Sequence, residues 1–158
     1  MTGDQTCALP ICIHAQNGAT HFLQRFALRP HAAYDQTAAM KFALEHQNPF
    51  VTGAVIGKAD APYPAASFSL LRIDDPNALL WALKPHDDGI EHGLVARVWN
   101  QAAQPLPVRL TTAVPLKSAE RITHIETPIE PLPVRAGELE ITIGAQRMET
   151  FGLKPATQ

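Results

Sequence analysis

The densest group of reactive side chains in the chain is the run His86-Asp87-Asp88-Gly89-Ile90-Glu91-His92. It places five groups able to act as metal ligands or as acids and bases within seven residues. Zinc accepts imidazole and carboxylate ligands, and paired carboxylates carry out glycosidic chemistry. Asp-Asp-Gly is equally what a tight turn requires, because Asx side chains bond to nearby backbone and Gly tolerates positive φ. The turn is the reading preferred here. It leaves room for a substrate-facing rim, with His86, Asp87 and Asp88 as its candidates. Arg97, two residues before Trp99, joins them. Aromatic faces stack on the C–H surfaces of sugars, and a guanidinium donates to hydroxyls. The simpler reading has Trp99 half-buried and Arg97 at the surface or in an ion pair, with Trp81 in the core. No catalytic residue and no metal ligand is assigned. The chain has no Gly-rich phosphate loop, no Gly-x-Ser-x-Gly elbow, no Cys-x-x-Cys and no His-Glu-x-x-His.

The elements around the loop are strands. Ala78–Pro85 and Gly93–Asn100 are apolar runs rich in β-formers, which predicts an antiparallel hairpin with the reactive run at its tip. Asp75-Pro76-Asn77 makes the turn into the first of them. Further strands are predicted over 21–28, 50–56, 67–73, 105–112, 119–126, 138–143 and 148–153. Val108 and Leu110 are expected to point inward and Arg109 outward, and 138–143 has the cleanest alternation. Pro128–Pro133 reads as an extended connector that cannot sit in a sheet centre. One helix is predicted, Asp35–Gln47, capped by Asp35, with an apolar side around Met40 and Leu44, and stopped by Asn48-Pro49. Many short strands at turn-marked intervals with one short helix predict a mainly β fold, an antiparallel β-sandwich.

The hairpin also carries a family resemblance. In order and spacing, Ile73, Asp74, Pro76 and Asn77, then Ala82-Leu83-Lys84-Pro85, Asp88-Gly89 and finally Gly93, Leu94, Arg97 and Asn100 resemble the C-terminal β-domain of glycoside hydrolase family 38 α-mannosidases. The Pro30-His31 pair extends the likeness upstream, while Ile90-Glu91-His92 makes the loop slightly longer than the family's compact form. The resemblance implies a parent enzyme that hydrolyses terminal α-mannosides with retention, using an Asp nucleophile and a zinc ion held by His and Asp. It places those residues in an upstream barrel and its junction with a helical bundle, so none is carried over to this chain. What it implies here is a non-catalytic fragment that scaffolds the catalytic part, shapes the substrate site and contacts carbohydrate. Its implied partners are the catalytic and helical domains of the same chain and an α-mannoside glycan. The alternative is a free-standing carbohydrate-binding or structural β-sandwich.

Composition agrees with a globular domain: 158 residues, 46% hydrophobic, 18% charged and 14 prolines, which suit strand ends and turns. A net charge of −2 gives no electrostatic case for nucleic acid or an anionic membrane surface. No apolar run approaches the length of a membrane span. Residues 1–11 resemble the in-frame translation of a sequencing-adapter oligonucleotide, with Met1 as an alternative start codon and Asp4 as a read variant. They are set aside from fold reasoning. The β-sandwich is then expected over 12–158, with the native N-terminus missing. Cys7 and Cys12, the only cysteines, lose any redox or metal role with that segment. Cysteine poverty and the resemblance to bacterial members make the cytoplasm the expected location.

Overall fold

The structure is a computed structural model that describes residues 25–53 and 67–156. The chain divides into two units, Met1–Ala32 and Ala33–Gln158. In the first, the described residues 25–32 adopt no regular element, and Phe26 and Leu28 are exposed. The strand predicted over 21–28 is therefore absent from 25 onward, and its first residues lie outside the described ones. Two alternating apolar residues do not hold a strand without a partner strand to bond to.

The second unit is a sandwich of two antiparallel sheets. In chain order its elements are α1 (Gln36–Gln47), β1 (Leu71–Ile73), β2 (Ala78–Pro85), a single 3₁₀ turn at Ile90–His92, β3 (Leu94–Asn100), β4 (Leu106–Thr112) and β5 (Leu116–Ile122). They continue with β6 (Pro128–Leu132), β7 (Val134–Arg135), β8 (Glu138–Ile143) and β9 (Met148–Pro155). One sheet runs β1-β4-β8-β7 and the other β2-β3-β9-β5-β6. The mainly β expectation holds, and most of it was written in the alternation. On β8, Leu139, Ile141 and Ile143 are buried while Glu140 and Thr142 are exposed; on β4, Val108 and Leu110 are buried and Arg109 is exposed. These side chains meet Ala96 and Val98 of β3 and Phe151 and Leu153 of β9 in one core. Each large aliphatic or aromatic side chain so buried contributes about 1.5–3 kcal/mol.

The sheet edges are blunted. β6 carries Pro128 and Pro131 at the edge of the five-stranded sheet, and β1 and β7 are three and two residues long. The remaining edge strand, β2, is interrupted by a register shift between Leu80 and Ala82. That bulge corrects the expectation for Trp81: instead of entering the core, it stands 44% exposed on the sheet.

Three further strand expectations fail at their ends. Phe50–Gly53 is irregular, with Phe50 and Val51 almost fully exposed; residues 54–56 lie outside the described ones. The strand predicted from Ser67 begins only at Leu71. The one predicted over 119–126 instead spans Leu116–Ile122, because Glu126 adopts a φ of 65° in the turn that follows. The helix is as predicted in extent and capping: Asp35 accepts from the Ala38 N–H at 2.9 Å, and Asn48 donates from both backbone and side chain to the Leu44 carbonyl. The predicted apolar side, Met40, Phe42, Ala43 and Leu44, is half-buried, and a polar contact is added to it. Thr37 is the helix's only buried residue and donates to Asn77 Oδ1 at 2.9 Å.

Candidate functional site

The hairpin loop joins β2 to β3 and is closed by backbone bonds, from the His86 N–H to the Gly93 carbonyl (3.0 Å) and from the Gly89 N–H to the His86 carbonyl (3.0 Å). Two glycines make this path possible. Gly89 has φ 122° and Gly93 has φ 108°, both in the region that side chains disfavour. At Gly93 a Cβ would also strike the backbone carbonyl oxygen of Leu153 on β9.

Alternation along β3 determines which sheet face the loop overlies. Ala96 and Val98 belong to the core, so Val95, Arg97 and Trp99 point to the outer face. Lys84, opposite Val95, and Thr150, opposite Arg97, share it. Val95 is nevertheless 2% exposed, Ile122 3% and Thr150 2%. These residues are buried without belonging to the core between the sheets. They are covered by two connections that curl over this face: the 86–93 loop and the β5–β6 turn at 123–127. The turn is closed by Thr123, whose carbonyl accepts from the Glu126 N–H and whose Oγ1 accepts from the Thr127 N–H, each at 3.0 Å.

Glu126 joins the two. Its side chain is 4% exposed and pairs with Lys84 Nζ, while its Oε2 accepts from the Asp87 N–H at 2.7 Å. Lys84 also pairs with Asp87, and His86 Nδ1 lies 3.6 Å from the carboxylates of both Asp88 and Glu126. The charges answer one another. The Lys84 ammonium, with the Asp87 N–H, holds the Glu126 carboxyl below the ordinary 4.5. Lys84 likewise lowers Asp87, and Asp87 and then Glu126 raise Lys84. The side chains of Asp87 and Asp88 remain about three-quarters exposed. Arg97 lies apart from this group: its Nε donates to Thr150 Oγ1 (3.2 Å) and its Nη2 to the His124 carbonyl (3.1 Å).

Of the four rim candidates, His86, Asp87 and Asp88 thus sit together on one loop, and Arg97 meets them only through the 123–127 turn, which contacts both. Glu126, 39 residues from Asp87, could not be singled out in advance, because nothing in Ile125-Glu126-Thr127 distinguishes it from a solvated turn acid. Among the described residues no three His, Cys, Asp or Glu side chains form a group able to hold a metal ion. The His86 and His92 rings are 5.6 Å apart, but no ligand set completes them. These residues do not fit a zinc ion. Among the described residues, no helix is long and apolar enough to cross a membrane.

Residues 77–151 match the family described as glycosyl hydrolases family 38 C-terminal beta sandwich domain. This stretch is a family 38 C-terminal β-sandwich domain. No curated protein matches the chain. The match runs from the Asx turn at Asn77 through β2 to Phe151 on β9, so the family 38 domain includes the loop, the 123–127 turn and Arg97.

Several residues that carried the sequence resemblance prove to be fasteners. Asn77 donates its N–H to Asp75 Oδ1 (2.8 Å) in the predicted Asx turn. Gly93 supplies the close approach to β9. Asn100, fully buried, directs Nδ2 at the carbonyls of Gln104, Ile143 and Gly144 and accepts from the Ala102 N–H.

Proposed function

We propose that this family 38 domain is the non-catalytic C-terminal part of a larger α-mannosidase, in which it scaffolds the catalytic domain and shapes the rim of the site that hydrolyses terminal α-mannosides. The observation that carries the reading is the loop: matched to the family, anchored underneath by buried Glu126, and offering Asp87 and Asp88 to solvent. Carboxylates held this way accept hydrogen bonds from sugar hydroxyls without having to be ordered on binding. The nucleophile, the acid and the zinc ion belong to the upstream domains, which are the partners of this one; the sandwich contributes none of the three. The protein works in the cytoplasm, in keeping with a chain whose only cysteines are Cys7 and Cys12.

The test joins this chain to its upstream domains and replaces Asp87 and Asp88 with Ala. The expected result is a KM for an aryl α-mannoside raised about three- to tenfold, with Tm nearly unchanged, because exposed loop substitutions usually cost under about 0.5 kcal/mol. Unchanged kinetics would reduce the loop to a structural turn.

A further inference from the structure

The outer face of β2 and β3 carries a second feature, beyond the loop. Trp81, displaced by the bulge in β2, meets Trp99 edge-to-face, with ring centroids 5.6 Å apart and planes at 82°. Trp81 is 44% exposed and Trp99 half-buried, so the pair presents indole surface to solvent. Arg97 lies two residues from Trp99 on the same strand face, about 7 Å away along the strand and so within the reach of one sugar ring.

Arg97 is not among the arginines of the sandwich that are held in ion pairs. Arg109 is paired with Glu138 and Glu140, and Arg121 with Glu130 and Glu149. Arg97 pairs with no carboxylate among the described residues; its two bonds go to a hydroxyl and a carbonyl, both neutral. Those bonds fix the guanidinium plane, and its remaining N–H groups have no described partner. An oriented, uncompensated donor beside one exposed and one half-buried indole has the composition of a sugar subsite. The indole surface takes the C–H face of a pyranose, and the guanidinium takes neighbouring hydroxyls. A bare anion would use the guanidinium and leave the indoles idle.

We propose that Trp81, Trp99 and Arg97 form a hexose-binding subsite on the outer sheet face, separate from the loop, that holds a mannose unit of the glycan away from the bond being cleaved. The choice of mannose rests on the mannosidase reading above; the subsite itself rests on the sheet geometry. It requires no catalytic domain, and the present chain should show it.

The chain has only two tryptophans, both in the subsite, so its indole emission reports on this surface alone. Titration of the 158-residue chain with methyl α-mannoside should give a saturable emission change, with half-saturation at about 1–10 mM, the range of a small solvent-exposed site. Trp81→Ala, read through Trp99, should weaken it at least tenfold. Arg97→Lys, which keeps the charge and loses the fork, should do so severalfold. Glu140→Gln, on the other sheet, should leave it unchanged. Far-UV circular dichroism checks the fold of each variant; should Trp81→Ala fail to fold, Arg97→Lys and the indole N–H shifts of the native chain carry the test. No saturable change up to about 50 mM, undiminished affinity in folded Trp81→Ala or Arg97→Lys, or inorganic phosphate or methyl glucuronide binding tenfold tighter than the neutral sugar would each overturn the proposal. Hydrolysis is not measured, so loss of the mannosidase reading and loss of the subsite give different results: the first shows in the rejoined enzyme, the second in this titration.

Discussion

Asn100→Ala isolates a single buried side chain whose partners are all neutral. The amide Nδ2 lies 2.9 Å from the Gln104 carbonyl, 3.1 Å from that of Ile143 and 2.9 Å from that of Gly144, while Oδ1 accepts from the Ala102 N–H at 2.7 Å. It therefore ties the β3–β4 connection to the β8–β9 turn. Truncation leaves these backbone groups without their partner at a site with no exposure in the native chain. An unsatisfied buried polar group costs about 1–3 kcal/mol, and water entering the vacated space recovers part of that. A net loss of about 3 kcal/mol is expected. At about 2.1 cal/mol/K per residue over the roughly 125 residues of this unit, that loss lowers Tm by about 10 °C. Thermal unfolding followed by circular dichroism, with a urea titration to check that the m-value is unchanged, measures it. Asn100→Asp is the control. It keeps the acceptor for Ala102 and turns a charged acceptor toward three carbonyls, so it should be at least as damaging at neutral pH and should recover on acidification. A fall in Tm below about 3 °C for the Ala variant would refute the assignment of Asn100 as the fastener of these two turns.

Two other perturbations test the ground beneath the loop. Because the Glu126 carboxyl lies below its ordinary 4.5, its contribution is complete above that value and is lost as pH falls through the lower folded value, while Lys84, raised above 10.5, stays charged throughout. Glu126→Gln should therefore lower Tm at neutral pH by an amount that shrinks as the pH is taken below 4.5; a gap that stays constant down to the acid-unfolding limit would show that the contact is not ionic. Gly93→Ala combines a φ of 108° with a clash at the Leu153 carbonyl, and should cost about 2 kcal/mol or more in urea unfolding; a neutral result would mean that the loop can re-enter the sheet by another path.

The sequence by itself determined those parts of this domain whose physics is local. A period of two in 138–143 is enough to say which residues face the core, and Asp35 and Asp75 announce a cap and a turn because their partners lie two or three residues away. The hairpin and its polar tip were legible for the same reason, as was the family through the order and spacing of its residues. The tertiary structure alone decided what depends on register and on distant segments. A bulge between Leu80 and Ala82 moved Trp81 from its expected core position to an exposed face. A turn 39 residues downstream supplied the acid beneath Asp87, and a threonine 53 residues away in the chain, on β9 beside β3 in the sheet, oriented Arg97. Neither contact leaves a trace in local spacing, because each is made only when the five-stranded sheet has brought the outer-face residues and the two connections over them together.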